Sequence, residues 1–188
     1  MKPTVKNMLF ALLAIIIFPS TPALAQYQSN YDEKWNQASL GIGFGLGYSG
    51  ILGANFSYCF TPYISVTGQL GVTPVRPGLG AGMNFYLIPK DKSTIYKPNL
   101  KIQYGYTSMI WVLGKEEYND VFYGARFALG NEFRFGRARR HGFDFDLFYS
   151  ILSDEYHDKW EIVNNDPDVE GLGKVYPVTI SLGYHFDF

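Results

Sequence analysis

The sequence predicts an all-β fold, an eight-stranded antiparallel up-and-down transmembrane β-barrel, and three observations carry that reading. Apolar and polar residues alternate with a period of two in eight separate segments. Within each segment one face is apolar and almost uncharged, while the other is small, polar or ionic. The large aromatics gather near the ends of these segments rather than at their centres.

The chain opens with "MKPTVKNMLFALLAIIIFPSTPALA", in which Lys2 and Lys6 precede an unbroken apolar run from Met8 to Phe18. Pro19 and Pro22 follow, then Ala23 and Ala25 in an A-x-A pattern. These features define a secretory signal peptide over residues 1–25, with the mature chain expected to begin at Gln26. The apolar run is too short to serve as a membrane-spanning helix. No Cys directly follows the cleavage site, so nothing supports a lipoprotein. Residues 26–188 are expected to form one barrel domain, with the polar stretch 26–37, "QYQSNYDEKWNQ", leading into it.

Composition narrows the class further. Cys59 is the single cysteine, which excludes an intramolecular disulfide framework. The formal net charge of −1 comes with no basic stripe, which argues against nucleic acid as a partner. Aromatics make up 18% of the chain and there are 20 glycines, a mixture suited to β structure with tight backbone approaches.

The strands are expected at 38–49, 51–60, 63–73, 79–88, 99–111, 120–135, 142–152 and 175–188. Turn signals separate most of them: Ser49-Gly50, Thr61-Pro62, Pro74 to Gly78, Pro89 to Ser93 and Gly136 to Gly142. The connections 112–119 and 153–174 are longer, and no helical periodicity is expected between strands. In the first strand, "SLGIGFGLGYSG", Gly41, Gly43, Gly45 and Gly47 alternate with Leu40, Ile42, Phe44, Leu46 and Tyr48. Alternating side chains point to opposite faces of a strand, so one face is apolar and the other nearly bare. The same stretch holds "GLGYSG", which fits G-x-G-x-x-G. A dinucleotide fingerprint must open a helix, yet Gly50 is followed by another alternating strand, "ILGANFSYCF". The glycines instead clear an interior wall for long side chains.

The last strand sorts most cleanly. Tyr176, Val178, Ile180, Leu182, Tyr184, Phe186 and Phe188 share one face; Thr179, Ser181, Gly183, His185 and Asp187 share the other. The sixth sets Tyr123, Ala125, Phe127, Leu129, Phe133 and Phe135 against Gly124, Arg126, Gly130, Glu132 and Arg134, with Asn131 an exception on the apolar side. The seventh sets Phe143, Phe145, Leu147, Tyr149 and Ile151 against Asp144, Asp146 and Ser150. An eight-stranded barrel is just wide enough inside for side chains to fill it. The large apolar rows would overfill that space, whereas glycine, serine and a few long ionic residues fit. The apolar face is therefore expected outside, in lipid, and closure of the sheet satisfies the edge groups that hydrocarbon cannot.

The aromatics fit two girdles. Near the ends that share the termini lie Tyr58, Phe60, Tyr63, Phe85, Tyr86, Phe133, Phe135, Phe143, Phe145, Tyr184, Phe186 and Phe188. Near the opposite rim lie Tyr48, Tyr106, Trp111, Tyr123, Tyr149 and Tyr176. An exported chain of eight such strands, ending in "TISLGYHFDF", resembles the small outer-membrane β-barrel proteins of Gram-negative bacteria. The resemblance implies an outer-membrane location, contact with outer-membrane lipids, and recognition by the barrel-assembly machinery through Tyr184, Phe186 and Phe188. It also implies a monomer. The first and second outer connections are shorter than surface loops of that family.

The interior candidates are Lys101, Gln103, Arg126, Glu132, Arg134, Asp144, Asp146, His185 and Asp187, expected to form a polar network in which charges pair. So narrow a lumen argues against a general porin. Cys59 is expected to be a small packing residue facing the lumen. Ser153, Asp154 and His157 share the last outer loop, but their spacing shows no nucleophile held against an oriented base. No catalytic residue, metal or cofactor is assigned. "DPDVEG" resembles the start of a calcium loop, yet the twelfth position is Pro177, where a bidentate Glu is needed. Tyr156, His157, Trp160, Asp166, Asp168 and Glu170 are the surface-binding candidates of the 153–174 loop. The sequence thus points to a structural or surface-binding barrel and not an enzyme. The alternatives are a lipid-modifying enzyme or a narrow channel for small solutes.

Overall fold

The computed structural model describes residues 37–90, 94–169, 173 and 175–188. The signal-peptide assignment, the leader up to residue 36, and Glu170 fall outside them. Eight strands follow in chain order: β1 (Ala38–Gly45), β2 (Gly50–Thr61), β3 (Ile64–Val72), β4 (Gly78–Tyr86), β5 (Tyr96–Ile110), β6 (Asp120–Phe135), β7 (His141–Ser150) and β8 (Val178–Asp187). Each pairs antiparallel with its neighbours, and β1 pairs with β8, closing the barrel. Every expected strand is present, with shifted ends.

The alternation places the apolar rows outside. Leu40, Ile42 and Phe44 of β1 are exposed, as are Ile180 and Leu182 of β8, while Ser39, Ser181, His185 and Asp187 are buried. The same inversion holds in β3, where Leu70 is exposed and Ser65, Thr67 and Gln69 are buried. Polar and ionic side chains thus fill the interior, and large hydrophobic ones cover the exterior.

Local chemistry sets the turns. Between β2 and β3 the Thr61 hydroxyl accepts from the backbone N–H groups of Tyr63 and Ile64, and between β3 and β4 that of Thr73 accepts from Val75 and Arg76. The β6–β7 turn uses Gly136 at φ 82° and Arg139 at φ 48°. The β5–β6 hairpin is the longest in the barrel, with strands of 15 and 16 residues against 8 in β1. At roughly 3.4 Å per residue it outreaches its neighbours and carries the connection that follows β7.

Three expectations need correction. The first strand stops at Gly45 rather than continuing to 49. A register shift between Gly43 and Gly45 sets Gly45 opposite Gly50, Gly45 takes φ 90°, and Leu46–Tyr48 wind into one 3₁₀ turn closed by Ser49 at φ 54°. That turn bends inward, so Leu46 and Tyr48 are buried rather than lying on the outer face. Second, the rim aromatics Tyr106 and Tyr86 are also buried. Tyr106 sits where the β5–β6 register shifts between Tyr106 and Ser108, and it joins Leu46, Val121, Ala128 and Phe148 in one cluster. Tyr86 stands on the lumen side of β4 and bonds to Glu132.

The third correction is a helix, α1 (Asp154–Asn164), in the β7–β8 connection. Ser153 caps it by accepting from Tyr156 N–H, and Asp154 and Glu155 suit the positive end of the helix dipole. Tyr156, Trp160 and Val163 line one side at helical spacing. With Ile110, Phe122, Val112 and Tyr118 of the β5–β6 hairpin they form a second apolar cluster. Among the described residues no helix is long and apolar enough to cross a membrane.

Candidate functional site

Among the described residues the buried ionic side chains gather in the polar interior, and a connecting segment reaches into it toward each end. At the end remote from the termini the Leu46–Ser49 turn lies in the lumen. Glycines make room for it: a Cβ on Gly183 would fall 1.8 Å from the Tyr48 hydroxyl oxygen, and one on Gly43 would fall 2.5 Å from its ring. The side chain for which this wall is cleared belongs to the same segment as the β1 glycines. The Tyr48 hydroxyl donates to Asp144 Oδ2 at 2.8 Å. Gly47 N–H donates to Ser181 Oγ at 3.1 Å, and that hydroxyl donates onward to Phe44 O at 2.8 Å.

Arg126 locks the turn from across the barrel. Its guanidinium donates to Leu46 O at 2.6 Å, Tyr106 O at 3.0 Å and Gln69 Oε1 at 2.6 Å, with the Phe148 ring 5.7 Å away. Arg126 therefore departs from the expected ion pairing, because its partners are neutral oxygens. Phe148, fully buried in the lumen beside it, was not among the candidates.

Toward the termini the charges pair. Lys101 Nζ lies 2.8 Å from both carboxylate oxygens of Asp146. Gly130 leaves the passage between them, since a Cβ there would meet Asp146 Oδ1 at 2.2 Å. Arg134 reaches Asp187 at 2.6 Å and Glu132 at 3.1 Å, rather than Asp144 on the adjacent strand. His185 Nδ1 lies 2.9 Å from Asp144 Oδ1, and Tyr86 donates to Glu132 Oε1 at 2.6 Å. Gln103 is buried on the same wall, where its Oε1 has no hydrogen-bond partner.

Lys90 closes the second end. It comes from the β4–β5 connection, is 1% exposed, and lies 3.5 Å from Asp187 and 4.0 Å from Glu132. Lys97 holds that connection by donating to Pro89 O at 2.6 Å. Sequence periodicity could not find Lys90, which lies outside every strand. Cys59 is buried beside this end, opposite Ser65 across the β2–β3 ladder.

The loop candidates separate. Tyr156 is fully buried and belongs to the apolar core beneath α1, not to a binding surface; its hydroxyl accepts from Val175 N–H at 3.0 Å. Trp160 is half-buried against the same cluster. His157 and Asp168 are exposed. Asp166 accepts from Lys115 Nζ and the Tyr118 hydroxyl, both at 2.7 Å, which ties the β7–β8 connection to the β5–β6 hairpin. Those bonds hold the Asp166 carboxyl down to about 2 and raise the Lys115 ammonium above its ordinary value. A second tie runs through Asp120, bonded to Arg76 and, at 2.9 Å, to Lys159 of α1. Ser153 is engaged as a helix cap, and no bond between it and His157's imidazole accompanies that role.

Fold and site together define a closed eight-stranded up-and-down β-barrel with an apolar exterior, a salt-bridged interior and a β5–β6 hairpin capped by α1. Comparisons with protein-family models, curated proteins and solved structures found no match to this chain.

Proposed function

We propose that this chain is an integral β-barrel of a Gram-negative outer membrane, monomeric, with a structural or surface-binding role and a lumen closed by its own side chains. The observation that carries the reading is the inverted polarity: Ile42, Leu70, Ile180 and Leu182 stand exposed while Arg126, Glu132, Arg134 and Asp187 are buried. In water that arrangement would expose a continuous apolar belt and bury charge at a cost; in a bilayer it is the stable one. At about 3.4 Å per residue and a tilt of about 40°, the 10 residues of β7 and of β8 rise about 26 Å along the barrel axis, which matches the roughly 25 Å apolar band of such barrels.

The C-terminal residues support recognition during assembly, since Phe186 and Phe188 are exposed at the end of the last strand. The cap formed by α1 and the β5–β6 hairpin supplies the surface, with Leu113, His157, Ile162 and Asp168 outward. The reading gives the barrel no catalytic role. A conduit is disfavoured because the Leu46–Ser49 turn and Lys90 block opposite ends. The test is electrical: barrels reconstituted in planar bilayers are expected to give no large, steady single-channel steps. Reproducible large conductance would replace the closed-barrel reading with the conduit.

A further inference from the structure

The β6–β7 turn sets a basic stretch beside a group of aromatic rings. Residues 134–141 read "RFGRARRH", with Arg137, Arg139 and Arg140 in the turn and no acidic residue among them. Arg139, at φ 48°, closes the turn by donating its backbone N–H to Gly136 O at 3.1 Å. Arg137 and Arg140 are exposed. Arg140 O accepts from Asp187 N–H at 2.7 Å, which pins the turn to the end of β8, while the Asp187 carboxylate points into the lumen at Arg134. On the outer face five rings meet next to this turn. Phe135 stacks on His141 and Phe143, with centroids 5.8 and 5.1 Å apart. Tyr184 lies 6.0 Å from Phe143 and shares a hydrogen bond with His141 Nδ1, and Phe186 lies 5.2 Å from His141. Phe135, Phe143 and Phe186 are exposed.

We propose that this turn and its rings bind one anionic phospholipid, with the phosphate on Arg137 and Arg140 and an acyl chain along Phe135, Phe143 and Phe186. The planar guanidinium fork matches the oxygens of a phosphate, and no acidic side chain in the turn competes for it. The rings decide between a free anion and a lipid. Phe143 shares its face of β7 with Phe145 and Leu147, so the aromatic floor runs from the arginines into the apolar row of mid-strand. An occupant that covers both surfaces carries a negative head and a hydrocarbon chain. The Tyr184 hydroxyl and the His141 imidazole lie between them, as amphipathic rings do where hydrocarbon gives way to headgroups. The charge is also local. At the same end of the barrel the β2–β3 turn, Pro62 and Tyr63, carries none, and Lys90 of the β4–β5 connection is buried in the lumen. Such a patch favours one bound lipid over diffuse attraction to a charged surface. The inference rests on the proposed membrane location and adds the lipid that this location would select.

The test first inserts the full mature chain into vesicles of phosphatidylcholine alone. Failure to insert removes the membrane location and this inference together. The chain is then inserted into vesicles of equal parts phosphatidylglycerol and phosphatidylcholine, and the lipids that stay bound on release are counted by native mass spectrometry. The wild type is expected to keep phosphatidylglycerol over phosphatidylcholine by roughly tenfold, and the double variant Arg137→Gln/Arg140→Gln by less than about twofold, since each arginine at a membrane surface contributes separately. Arg76→Gln, at the opposite end of the barrel, should match the wild type. Phe143→Ala should keep several-fold less phosphatidylglycerol with both arginines in place. Equal retention of the two lipids by an inserted wild type overturns this inference alone, as does a preference that survives the double variant or is lost equally in Arg76→Gln. Excess inorganic phosphate is expected to leave the bound lipid in place, and its displacement would reduce the site to a free-anion contact and refute the lipid. If the double variant does not insert, Arg137→Gln and Arg140→Gln singly decide, each expected to cut the preference roughly threefold; an undiminished preference in both refutes the site.

Discussion

Lumen residues show how far alternation reaches and where it stops. Arg126, Glu132, Arg134, Asp144, Asp146, His185 and Asp187 stand on faces that a period of two identifies, because side chains in an unbroken strand have no third direction. Which of them meet was not legible, since contacts across the barrel depend on ladder register and on gaps such as Gly130. Tyr48 was misread because a bulge resets the alternation: the glycine row signalled an emptied wall but not the side chain that fills it. Two substitutions test this level. Arg134→Gln leaves Glu132 and Asp187 each short of a partner and is expected to cost about 3–5 kcal/mol in urea unfolding from vesicles, the range for a broken buried pair. An unchanged midpoint would mean that water, not the network, fills this end. Gly183→Ala drives a methyl into the Tyr48 ring and is expected to cost about 1–3 kcal/mol. Adding Tyr48→Ala should then make Gly183→Ala nearly neutral. Strictly additive losses would place the Tyr48 ring elsewhere.

Among the elements, α1 was the one the sequence hid. Its apolar stripe consists of Tyr156, Trp160 and Val163 among Asp154, Glu155, Asp158 and Glu161, so the segment reads as an acidic loop. The helix is held less by its own pattern than by the β5–β6 hairpin beneath it, whose extra length brings Ile110 and Phe122 under the stripe. The Asp166–Lys115–Tyr118 tie gives this cap a pH dependence whose sign follows from the carboxyl. Asp166 is lowered from 3.8 to about 2, so its contribution is complete above the ordinary value and fades as pH falls from about 4 toward 2. Pepsin digestion of the vesicle-inserted barrel checks this. Asp166→Asn should be cut in the cap faster than wild type at pH 4, and the two rates should converge near pH 2. An equal difference at both values would show that the ionised Asp166 does not hold the cap.

At the scale of the whole molecule, strand count, pairing order and facing were all readable, because each follows from a period of two and from what fits inside eight strands. The inward turn and Lys90 were not, because loops carry no periodicity from which to place them. The central claim is that the exposed rows of this barrel belong in hydrocarbon. Leu182, exposed in mid-strand on β8, and Leu113, 82% exposed in the β5–β6 connection, make the most direct comparison. Both would be surface leucines in water, but only the first would meet lipid. Folding yield and urea midpoint in lipid vesicles should fall for Leu182→Arg by the equivalent of about 2–4 kcal/mol, the cost of Arg at a lipid-facing midplane site, with Leu113→Arg close to wild type. If Leu182→Arg instead folds into vesicles as well as the wild type, its outer face does not lie in a membrane, and the account is contradicted at its root.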